Sequence, residues 1–154
     1  MNARLFVLAL GTFAIGTEGF MIAGVLPVLS QDFQVSLSAA GQLVTVFSLA
    51  YAIGSPVLAT LTGHVEKRRL LFLSLLLFAI ANFLCGMAVQ YGVLMLGRVV
   101  AAAGAGLFVP SASTTAAGLV APEHRGKALA VVIGGQTAAL AMGGPLGTWI
   151  AYAF

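Results

Sequence analysis

Long apolar stretches divided by brief polar breaks run the length of the chain. Leu5–Leu29, Ala39–Leu61, Leu70–Ala88, Val93–Val120 and Ala128–Phe154 are continuously hydrophobic, and Ser30–Ser38, Thr62–Arg69, Val89–Gly92 and Ala121–Lys127 separate them. A bilayer core about 30 Å thick takes about 20 apolar residues of helix, so each stretch is long enough to span. Backbone groups inside hydrocarbon must be satisfied by helices or closed barrels. The stretches do not alternate apolar with polar positions, which excludes a barrel. The pattern therefore predicts an all-α membrane protein with five transmembrane helices. The first stretch, behind Arg4, is too long for the apolar region of a signal peptide and lacks a small-x-small cleavage site. It is expected to remain as the first span.

Composition sharpens this picture. Of 154 residues, 60% are hydrophobic and 7% charged, against roughly 25% charged in soluble domains. Nineteen glycines suit membrane helices, whose backbones approach closely through small residues. In the fifth stretch Gly135, Ala139, Gly143 and Gly147 recur every fourth residue, and the fourth pairs Ala101 with Ala105 and Ala102 with Gly106 in the same spacing. The third stretch has no glycine before Gly86 and reads as a lipid-facing helix.

The net charge of +3 does not point to nucleic acid, because the cations cluster in short breaks between spans. Arg4 precedes the first span, Lys67, Arg68 and Arg69 lie between the second and third, and Arg125 and Lys127 between the fourth and fifth. The alternate breaks hold no Lys or Arg. The positive-inside rule then puts the N-terminus in the cytoplasm and Phe154 near the outer face of a bacterial inner membrane. Cys85 is the single cysteine, and two scattered histidines complete no metal-ligand spacing. No catalytic cluster, phosphate-binding loop or nucleophile elbow occurs, so neither an enzyme nor a cofactor or metal site is expected.

Two ionisable residues stand inside spans. Glu18 lies roughly 20 Å along the first helix, where an ionised carboxylate is costly unless paired or hydrated. It is a candidate proton carrier, neutral in one state and ionised when water or a cation reaches it; the alternative is a structural carboxyl bonded to a neighbouring helix. Arg98, a few residues into the fourth span, either snorkels to the outer interface or faces the bundle at a depth comparable to Glu18. Pro27, Pro56, Pro110 and Pro145 each remove a backbone donor and mark kinks or flexing points. Gln136 is a candidate for a substrate cavity or for a helix-to-helix hydrogen bond.

Several pieces, in this order and spacing, resemble the major facilitator superfamily, and within it the twelve-helix drug:proton antiporters near the arabinose/sugar-efflux and purine-efflux permeases. They are Gly16-Thr17-Glu18-Gly19-Phe20 leading to Gly24-Val25-Leu26-Pro27, Ala50-Tyr51-Ala52-Ile53-Gly54-Ser55-Pro56, Leu96-Gly97-Arg98 with Gly104, Glu123 through Ala128, and Gly143-Gly144-Pro145-Leu146-Gly147-Thr148-Trp149. The resemblance implies an incomplete N-terminal half of a fold built from two six-helix halves of inverted repeats around a midplane site. It implies export of small organic molecules in exchange for protons, with Glu18 and Arg98 in proton coupling; Tyr51 joins Gln136 as a candidate for the substrate cavity. Gly143, Gly144, Pro145 and Gly147 match the helix-five antiporter motif, with Thr148 where a second glycine is expected. Gly63, Lys67, Arg68 and Arg69 match the cytoplasmic loop signature in a short form lacking its aspartate.

The partners implied are the lipid bilayer, protons, a small-molecule substrate, and a C-terminal half or partner chain. The leading expectation is a secondary efflux transporter present as an N-terminal part that is inactive alone. A non-transporting membrane accessory protein and a half-transporter working with another chain are the alternatives.

Overall fold

The computed structural model describes residues 3–153, with the side chains of 151 and 152 left aside. Phe154, the end of the fifth apolar stretch, lies outside the described residues. Five long helices run back and forth: α1 (Ala3–Asp32), α2 (Leu37–Leu61), α3 (Lys67–Gly86), α4 (Tyr91–Gly118) and α5 (Arg125–Ala153). All five are long and apolar enough to cross a membrane. The shortest, α3, has 20 residues and is about 30 Å long, which matches the hydrocarbon core.

All five helices begin before the apolar stretches that announce them. Apolar composition marks the part of a helix in hydrocarbon, whereas the helix itself continues into the interface. Lys67, Arg68 and Arg69 thus form the first turn of α3 rather than a loop, and Arg125 to Lys127 open α5 after a single 3-10 turn at Pro122–His124. Between α1 and α2 the chain reverses through Gln34, at φ 52°, and Ser36 caps α2 by accepting from the Ala39 amide at 3.1 Å.

Two assemblies make up the bundle. α1 packs along α5, and α4 packs against both α3 and α2. The α1–α5 seam is the small-residue stripe of α5 laid on α1. Gly135 sits on the Ala9 carbonyl, Ala139 on Gly16, Gly143 on Thr17 and Phe20, and Gly147 on Met21. Thr12 ties the seam by donating to the Val132 carbonyl at 2.7 Å.

α4 is the hub, with eleven buried residues. A Cβ added at Gly104 would lie 2.9 Å from the Ser74 carbonyl oxygen of α3, so only glycine allows this approach. α3 buries Leu70, Ser74, Phe78 and Ala81 against α4 and turns Phe72, Leu73, Leu76, Ile80, Phe83 and Leu84 outward. At the far end from Arg4, the Tyr91 hydroxyl donates to the Ala39 carbonyl, joining the starts of α4 and α2.

The bundle's proline sites show how a removed donor is handled. Pro110 in α4 leaves the Gly106 carbonyl without its helical N–H. The Ser55 hydroxyl of α2 donates to that carbonyl at 2.9 Å. Pro27 likewise frees the Ala23 carbonyl in α1, and Ala23 lines the cavity described next.

Candidate functional site: an ion pair in a four-helix cavity

An open cavity of about 330 Å³ lies between α1, α2, α4 and α5. Its wall is largely apolar, with Ile15, Phe20, Val44, Phe47 and Val109, and its polar groups include Ser48, Tyr51, Arg98 and Gln136. α3 contributes nothing to this wall and stays on the lipid side of α4.

Arg98 is the largest fully buried side chain, at 2% exposure. Its Nη1 donates to Glu18 Oε1, so α1 and α4 are joined by an ion pair across the cavity wall. Opposite chain directions produce this meeting: α1 runs away from the basic end and α4 returns, which brings the two residues to one depth. The guanidinium also lies over the Phe47 ring of α2, its central carbon 4.3 Å from the centroid. The charge is therefore shared between a carboxylate and an aromatic face. Phe47 stacks on Tyr51, one turn on, with ring centroids 6.4 Å apart.

Two atoms of the pair remain without a partner. Glu18 Oε2 and Arg98 Nε are buried and accept or donate no hydrogen bond among the described residues. Glu18 retains 21% side-chain exposure. A buried charged pair with leftover hydrogen-bonding capacity is poor as mere stabilisation, because desolvation offsets much of the attraction. It is suited to exchanging partners.

Of the residues singled out from the sequence, Arg98, Tyr51 and Gln136 line this cavity, and Glu18 joins them through its pair with Arg98. The two motif sets do not. Gly143 and Gly147 face α1, Gly144 meets no atom within 4 Å of an added Cβ, and Pro145 is exposed beside Thr148 and Trp149. Thr148, in the place of a motif glycine, donates to the Gly144 carbonyl at 3.0 Å. Gly63 lies in the turn after α2, and Arg69 pairs with Glu66 at 3.5 Å on the exposed basic end. Sequence reasoning missed Phe47. As one of ten phenylalanines, it is distinguished only by its one-turn spacing from Tyr51.

Five apolar helices, four of them around a cavity whose wall carries one side of an ion pair, define a multi-pass membrane protein. Residues 8–154 match the Major Facilitator Superfamily, and the chain belongs to that family. It is similar to the uncharacterized MFS-type transporter YbcL of Bacillus subtilis, with 39% identity over 97% of this chain and 38% of the relative. The chloramphenicol resistance protein of Streptomyces lividans is 37% identical over 99% of this chain and 40% of its own length. The inner membrane transport protein YdhP of Escherichia coli is 33% identical over 97% of this chain and 39% of its own length. The chain thus spans about two fifths of the length of the curated relatives it matches. The relatives carry transporter and drug-resistance names.

Proposed function

We propose that these helices form the proton-coupling side of an exporter of small organic molecules in a bacterial inner membrane, with the N-terminus in the cytoplasm. The observation that carries the reading is the Glu18–Arg98 pair in the wall of an open, largely apolar cavity. A carboxylate there has two arrangements: ionised and bound to Arg98, or protonated and released from it. A proton arriving on Glu18 weakens the α1–α4 tie and frees the guanidinium. Substrate competing for the same pocket then becomes linked to the proton through that equilibrium. The apolar wall with Tyr51, Ser48 and Gln136 suits an amphipathic aromatic-sized molecule, and the name of the Streptomyces relative is consistent with a drug as one such cargo. Transport by the whole protein requires a second bundle, for which the relatives' greater length leaves room, since alternating access rocks two bundles about one site.

The test is Glu18→Gln in a full-length protein carrying these five helices. Export driven by a pH gradient is expected to fall to background while substrate binding is retained and loses its pH dependence. Export at the original rate with its original pH profile would place the coupling proton elsewhere.

A further inference from the structure

The helices sort into two assemblies, α1 with α5 and α4 with α2 and α3, and α1 meets α4 only sparsely. Side-chain hydrogen bonds between helices follow the same division. Within the first assembly Thr12 donates to the Val132 carbonyl. Within the second, Ser55 donates to Gly106, Tyr91 to Ala39, and the Cys85 thiol to Leu94. Among the described residues, the Glu18–Arg98 pair is the one side-chain hydrogen bond that joins the two assemblies.

A second close approach of α1 to α4 is apolar. A Cβ added at Gly11 would run into the Phe108 ring, so the ring fills the space that a side chain of α1 would take. Gly11 and Glu18 lie two turns apart on α1, about 10 Å. The apolar contact carries no charge and has no preferred direction, so it persists whatever the state of Glu18. The ion pair does not. Protonated Glu18 leaves Arg98 without its counter-charge, and Arg98, at 2% exposure, cannot shed its own proton. Its other partner among the described residues is the Phe47 ring, 4.3 Å from the guanidinium carbon. Phe47 belongs to α2, in the same assembly as Arg98. The ring faces a neutral pair in one state and a net cation in the other, so its attraction is larger after protonation.

We infer that Phe47 is a positioning residue that keeps Arg98 on α2 when the Glu18 tie breaks, so that a proton unclips α1–α5 from α2–α3–α4 about the Gly11–Phe108 contact. The inference rests on the proposed role of Glu18 as proton carrier. The guanidinium stays with its own assembly, and the cavity widens toward the Tyr91 end, where the clip sat. Few other groups titrate beside the pair. α2 brings Tyr51 in the cavity wall, α4 brings Tyr91 at its start, α3 brings Cys85 against Gly97, and α5 brings the neutral Gln136. The remaining charges stand at the helix ends.

The experiment measures distances between spin labels in a full-length protein carrying these five helices, with Cys85→Ala and no other native cysteine. Labels at Met142→Cys and Phe83→Cys report across the assemblies, and labels at Leu37→Cys and Phe83→Cys report within α2–α3–α4; all three positions are exposed. Acidification is expected to populate a second, longer distance across the assemblies and none within. Glu18→Gln should show that longer distance at every pH. Phe47→Leu should need a roughly three- to tenfold higher proton concentration to reach it, the differential worth of one cation–π contact. Phe47→Tyr, which keeps the ring, should restore the wild-type profile. Equal profiles for the two Phe47 variants would overturn the role of Phe47. Export by the Glu18→Gln protein separates this inference from the coupling reading. Lost export with unmoved labels would overturn the clip alone, whereas moved labels with unaltered export would uphold the clip and place the coupling proton elsewhere.

Discussion

At the scale of single residues, the two halves of the ion pair are not equivalent. Glu18 can shed its charge by taking a proton, whereas Arg98 stays charged under any physiological condition. Arg98 is also the more deeply buried partner, at 2% against 21% exposure. Removing the carboxylate therefore strands a cation that cannot neutralise itself. Glu18→Ala is expected to cost about 3–5 kcal/mol, and Arg98→Met distinctly less, with the double variant recovering part of the loss. Reversible unfolding in mixed micelles reads all three; equal single costs that simply add would refute the coupling. Both charges were legible in the sequence because ionisable residues in apolar runs are rare and conspicuous. Their pairing was not, since it depends on the relative depth and rotation of α1 and α4. Phe47 was illegible for a different reason: an aromatic residue in a lipid-facing sequence carries no mark of which side of the helix it occupies. Glycines offer a second contrast. Gly104→Ala would put a Cβ 2.9 Å from backbone atoms of α3 and is expected to destabilise by about 1–3 kcal/mol through overpacking. Gly144→Ala meets nothing within 4 Å and should change stability by less than about 1 kcal/mol. A similar loss at both positions, measured by the same unfolding assay, would contradict the α3–α4 contact.

At the scale of elements, apolar length was enough to announce all five helices, because the hydrocarbon core imposes one length on every span. It could not fix their ends. Basic and polar residues at an interface continue a helix as readily as they leave one, which is why Lys67 to Arg69 belong to α3. The stripe of small residues in α5 was visible as a period, but which helix it would meet was not; α1 supplies the matching Gly16 and Gly24. How the bundle accommodates Pro110 was equally hidden, since the donor comes from another helix 51 residues earlier in the chain. That arrangement makes a testable coupling. Ser55→Ala removes the side-chain donor that the Gly106 carbonyl has among the described residues and should cost about 1–2 kcal/mol. In a Pro110→Ala background the helix recovers its own N–H, and the same Ser55→Ala change should become nearly neutral. Unchanged cost in that background would show that the serine acts through packing against Gly106 rather than through the freed carbonyl.

At the scale of the whole molecule, one end of the bundle gathers its charges. Arg4 lies with Lys67 and Arg68 around one groove, and Leu5 lies with His124 and Lys127 around another. Every basic residue outside the spans therefore lies at the same end of the antiparallel helices, the end that the proposed topology puts in the cytoplasm. A phosphatase that is active only outside should give activity when fused within the α3–α4 turn and none when fused between α2 and α3; the reverse pattern would invert the topology. The cavity is lined by α1, α2, α4 and α5, while α3 packs on α4 away from it. The wall holds Tyr51, Arg98 and Gln136, with Glu18 paired to Arg98, and among the described residues no second bundle faces it. Reconstituted without further helices, the five spans are therefore expected to insert and pack, yet to carry no saturable flux. The measurement is efflux of sugars, nucleosides and cationic dyes from vesicles under an imposed pH gradient. Flux that saturates, follows the gradient and disappears with Glu18→Gln would mean that copies of this bundle supply the missing wall to one another.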